Sequence, residues 1–84
     1  MNILSEIHKI VKEDYPEIKE KITPKTKFKD VKIDSLGLVM IVLKLEKEHH
    51  VKIDDNKLLD LQTKTIQDLI NEIERLESAE NKKK

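Results

Sequence analysis

The 84-residue sequence contains no cysteine and no tryptophan. The first absence excludes disulfides, thiolate metal sites and cysteine nucleophiles, so any thiol chemistry must arrive on a bound group. Glycine occurs once, proline twice, and the aromatics are one tyrosine and one phenylalanine. What remains is 37% hydrophobic, nearly all aliphatic, and 40% charged. Such a composition reads as helical. Net charge is also missing, with 17 basic residues against 17 acidic ones. That balance argues against a nucleic-acid binder, which carries a basic excess, and Lys82, Lys83 and Lys84 read as a solvated end. No apolar run approaches the roughly 20 residues of a membrane span. The chain does not open on a basic segment followed by an apolar signal core. A cytoplasmic protein without membrane insertion is expected. At this length it makes one small domain with a thin core.

The apolar residues Ile3, Leu4, Ile7, Ile10 and Val11 recur at spacings of three and four, which predicts a first helix. Pro16 ends it near Tyr15. From Pro16 to Asp34 the apolar residues Ile18, Ile22, Phe28, Val31 and Ile33 follow no period, and Pro24 interrupts them. This stretch reads as an ordered loop pinned by apolar anchors; a plain linker of that length is uncommon in a compact domain. Either Asp34 or Ser35 then caps a second helix that runs to about His50. Leu36, Leu38, Val39, Met40, Ile41, Val42, Leu43 and Leu45 leave its first half almost without a polar face. A stripe facing a core needs only about half of them. A short helix is expected over Asn56 to Leu61. Thr65 with Asp68 resembles a capping box before a last helix whose inner stripe is Ile66, Leu69, Ile70, Ile73 and Leu76. The expectation is an all-α four-helix bundle over residues 1–76, with three longer helices and one short one. A disordered charged tail is expected over 77–84.

Ordinary catalysis is poorly supplied. His8 lies off the first stripe, His49 is placed to face the core, and His50 points elsewhere, since adjacent helical residues diverge by about 100°. No zinc ligand set follows from them. A serine hydrolase needs an oxyanion hole and a pocket that a chain this short, with one glycine, scarcely accommodates. Asp54, Asn56 and Asp60 start like a calcium loop, but Leu59 and Thr65 stand where that loop needs glycine and glutamate. The carboxylates read as helix caps and solubilising groups, and no metal is expected. Asp34-Ser35-Leu36 remains. Taken alone it is a helix cap, since Asp and Ser are the commonest residues there. Its setting, after a long loop and before an over-apolar helix, asks for more.

The run "FKDVKIDSLGLVMIVLKLEKEHHVKI" resembles the central block of acyl carrier proteins and peptidyl carrier domains. The similarity covers about residues 3 to 76. In that family the motif serine is esterified to 4′-phosphopantetheine by a separate transferase. The resemblance therefore implies a carrier rather than an enzyme, with Ser35 as the attachment point and Asp34 and Leu36 beside it. It implies as partners a phosphopantetheinyl transferase, an acyl- or aminoacyl-loading enzyme, and a downstream synthase or transferase, each meeting a monomeric carrier. Leu38, Met40, Leu43, Lys44 and Lys47 are the expected partner-binding surface. Within the family the second and third helices can open a cleft for an acyl chain. Val42, Leu45, Leu58 and Leu61 are the candidate lining here, with ordinary core packing as the alternative.

The departures are informative. Lys32 stands where many members have glycine, and His49 replaces a common buried aromatic. Gly37, Met40 and Lys44 occupy positions that are acidic or small in carriers of bacterial fatty-acid synthesis, and Lys47 adds a further positive charge. The spacing from Phe28 to Ser35 is closer to carriers of polyketide, nonribosomal peptide or D-alanyl systems. The expectation is a carrier for a dedicated pathway.

Overall fold

The computed structural model describes residues 2–82, with side chains to residue 79. Four α-helices follow one another: α1 (Ile3–Asp14), α2 (Ser35–His49), α3 (Asp55–Leu61) and α4 (Ile66–Lys82). A short 3₁₀ turn, Phe28–Val31, lies in the loop before α2. The described residues contain no strand, only an isolated bridge between Lys27 and Thr65. The protein is an all-α bundle of the expected kind.

Asn2 opens α1, its side-chain oxygen accepting the N–H groups of Leu4 at 2.9 Å and Ser5 at 3.4 Å. Such a cap satisfies donors that have no partner within the helix. Ile3, Ile7 and Val11 form the buried stripe, with Leu4 and Ile10 packed at its margin. The helix stops at Asp14, before Pro16. The loop that follows is held by its anchors: Ile22, Phe28, Val31 and Ile33 are all buried. Its backbone also serves α4. The carbonyls of Thr26 and Pro24 accept the N–H groups of Ile66 and Gln67, each at 2.8 Å, and so close two donors at the start of α4. Thr65 and Asp68 complete that start reciprocally. The Asp68 carboxylate accepts the Thr65 N–H at 3.0 Å, and the Thr65 hydroxyl accepts the Asp68 N–H at 3.3 Å. These bonds to Thr65, first from its backbone N–H and then from its hydroxyl, hold the Asp68 carboxyl below its ordinary value.

The 3₁₀ turn ends in a Schellman arrangement. Ile33 N–H reaches the Phe28 carbonyl at 3.1 Å and Lys32 N–H reaches that of Lys29 at 3.4 Å, with Lys32 left-handed at φ 62°. His50, past the end of α2, is likewise left-handed at φ 57°. Glycine usually fills such positions. Here the single glycine is used elsewhere.

The expected end of the last helix differs from the structure. The helix α4 continues through the boundary drawn at residue 76 to Lys82. The sequence over 77–82 has no glycine, proline or β-branched residue, so propagating an existing helix costs little. Glu77 is also tied to α2, through His49. Lys83 and Lys84 lie outside the described residues.

Candidate functional site at the start of the second helix

Asp34 and Ser35 divide the work at the head of α2. Asp34 is the cap: its Oδ1 accepts the Gly37 N–H at 2.8 Å, and its carbonyl accepts Leu38 N–H at 2.9 Å. Ser35 is the first residue inside the helix and is exposed. A serine kept only for capping would stand in the place of Asp34. Instead its hydroxyl is presented to solvent at a helix N-terminus, where free N–H groups and the helix dipole favour an anion.

Gly37 lets this turn sit close to its surroundings. A Cβ there would lie 3.1 Å from Ile33 Cγ2, 3.1 Å from the Tyr15 hydroxyl oxygen and 3.3 Å from Asp34 Oδ1. The end of α1, the loop before α2 and the cap thus converge on a position with no side chain.

Along α2, Leu38, Ile41, Val42 and Leu45 are buried, while Leu36, Met40 and Leu43 are exposed by 68%, 44% and 52%. The three exposed residues follow helical spacing, and Lys47 continues their stripe by one turn. Leu38 was expected on this surface; that expectation is corrected, since it is 1% exposed and packs in the core. Leu36 takes its place, two positions away and therefore on a different face. Lys44 is half-exposed and paired with Asp14 of α1, whose carboxylate raises the ammonium above its ordinary value. Leu59 on α3 is 65% exposed, a further apolar residue that the sequence reading missed. Its only signal is that a seven-residue helix cannot bury three leucines on one side. Of the candidate cleft residues, Val42, Leu45 and Leu61 are buried in the core and Leu58 is partly buried against it. They pack within the hydrophobic cluster that the described residues form.

The family model described as "Phosphopantetheine attachment site" matches residues 5–73. The chain belongs to this family. Its cofactor is 4′-phosphopantetheine. The residues at the head of α2 fit such a group: an exposed hydroxyl, a helix tip suited to a phosphodiester, and a cap supplied by a different residue. An acyl carrier protein from Cyanophora paradoxa is 47% identical over 36 residues, which are 43% of this chain and 35% of that protein. The match thus spans about a third of that relative's length. No solved structure matches the chain.

Proposed function

We propose that Ser35 is the residue that bears 4′-phosphopantetheine, and that the protein carries an acyl or aminoacyl group between enzymes without itself catalysing a reaction. The observation that carries this reading is the split at the head of α2, where Asp34 makes the cap and Ser35 is left exposed. When bound, the group supplies a terminal thiol that holds the cargo as a thioester. The chain's own residues do the rest. Asp34 fixes the first turn, the helix tip stabilises the negative diester, and the stripe of Leu36, Met40 and Leu43 offers an apolar surface to the transferase and loading enzymes. Tethering the cargo raises its effective concentration at each partner. Val42, Leu45, Leu58 and Leu61 would line a cargo cleft only if α2 and α3 separate, because three of them are buried.

The pathway we favour is a dedicated one, in lipid, polyketide, nonribosomal peptide or D-alanyl metabolism, and a cytoplasmic one. The first turn of α2 has no acidic residue, Lys47 extends the exposed stripe, and the formal net charge is zero. A partner surface built to read an acidic carrier finds little to hold here.

The test is incubation with coenzyme A and a broad-specificity phosphopantetheinyl transferase, followed by intact-mass measurement. One phosphopantetheine should be gained, and Ser35→Ala should gain none. An unmodified wild-type chain under conditions that load a control carrier would leave an adaptor with a carrier's fold.

A further inference from the structure

His49, the last residue of α2, has a side chain only 4% exposed, and each of its ring nitrogens meets a carboxylate. Nε2 lies 2.7 Å from Glu6 Oε1 on α1, and Nδ1 lies 2.6 Å from Glu77 Oε2 on α4. An ionised carboxylate only accepts hydrogen bonds, and a neutral imidazole has a single N–H. Both contacts are therefore charge-assisted hydrogen bonds only when the ring carries two protons. One residue then joins three helices through two ion pairs.

Among the described residues, the charges acting on the ring come from Glu6 and Glu77. On its own helix, Glu46 is committed to the Ile53 N–H at 2.6 Å, and the neighbouring His50 is exposed. On the α1 side, Glu6 borders a groove with Lys9, Glu13, Lys44, Lys47 and Glu48, whose charges largely offset one another. Burial opposes the charge on His49, but its hydrogen bonds to Glu77 and Glu6, together with the charges of those carboxylates, outweigh it, so its pKa is raised above the ordinary 6.5. The second Glu6 oxygen, Oε2, is buried without a hydrogen-bond partner. Once the ring loses a proton, one of the two carboxylates faces a bare ring nitrogen instead of a donor, which favours opening of that contact.

We propose that His49 is a protonation-controlled clasp: charged, it holds both α1 and α4 to the C-terminal end of α2, and neutral, it can hold only one of them. The clasp stands about 21 Å along α2 from Ser35, at 1.5 Å per residue. It does not depend on what Ser35 carries. Because the folded pKa is raised, the stabilisation is complete below the unfolded value near 6.5 and is lost as pH rises through the folded value.

The experiment follows the ring protons of His49 by NMR across pH on the full chain. It also measures urea unfolding from acid to alkaline pH for the wild type, His49→Phe and the double variant Glu6→Gln/Glu77→Gln. The His49 ring should titrate above 6.5. The wild-type unfolding constant at fixed urea should rise with pH, tenfold for each unit by which the folded pKa exceeds the unfolded one. Both variants should flatten that rise. If His49→Phe does not fold, the double variant carries the comparison. A ring that titrates at or below 6.5, or variants with the wild-type slope, would overturn the proposal.

Discussion

Replacing Lys32 with glycine should make the protein more stable, although it removes a side chain. Lys32 has φ 62° and ψ 30°, the left-handed conformation, and its side chain is exposed. A residue with a Cβ is disfavoured there by roughly 1–2 kcal/mol. Glycine removes that strain but adds about 0.5–1 kcal/mol of chain entropy to the unfolded state. The difference leaves a net gain of about 0.5–1 kcal/mol. For a domain of this size, 1 kcal/mol moves the thermal midpoint by about 4–8 °C, so a rise of about 2–8 °C is expected. Lys32→Val supplies the opposite control, because a β-branched residue fits the left-handed region worst. Circular dichroism melts at one pH and salt concentration measure all three proteins. A glycine variant that melts below the wild type, or a valine variant that melts with it, would show that the turn is not strained in solution. The turn lies two residues before Asp34, so the same series asks whether relaxing it changes how readily Ser35 is modified.

Leu38→Ala should lower stability by about 2–5 kcal/mol in urea titrations, as expected when a core leucine is truncated. Met40→Glu, on the exposed stripe, should change stability by no more than about 0.5 kcal/mol while slowing modification of Ser35 by the transferase; equal modification rates would remove Met40 from the docking surface. Gly37→Ala gains about 1 kcal/mol of helix propensity. Crowding against Ile33 and the Tyr15 hydroxyl should cost about 1–3 kcal/mol, giving a net loss of about 1 kcal/mol. Adding Tyr15→Phe should recover part of that loss, since it removes one of the crowding atoms.

The stripes of α1 and α4 were legible in the sequence because each helix has a polar side that shows which way the apolar side points. The Thr65–Asp68 box was legible for a similar reason: its partners are three residues apart. The face of α2 was not. Apolar residues surround its first half, so periodicity could not separate Leu36 from Leu38. The separation comes from the cap at Asp34 and the close approach at Gly37, both of which orient the helix. The end of α4 was hidden differently. Counting apolar residues stops at Leu76, whereas the tie at Glu77 is polar and its partner His49 lies 28 residues away in the chain. The left-handed residues Lys32 and His50 escaped because neither is glycine or asparagine; the resemblance marked Lys32 only as a departure. Asp34-Ser35-Leu36 stands out in the sequence, but that the cap belongs to Asp34 alone is visible only in the geometry.

The contact of Tyr15 with the turn at Gly37 has a practical side. This tyrosine is the only one, and the chain has no tryptophan. Apart from weak phenylalanine bands, the protein's near-ultraviolet absorption and emission therefore come from one chromophore. Its phenolic oxygen rests beside the helix tip where Ser35 is displayed. A charged arm attached there, as proposed for Ser35, would alter the electric field at that ring. If Ser35 takes the arm as proposed, tyrosine emission recorded during incubation with the transferase should change as the group is attached, with no dye needed.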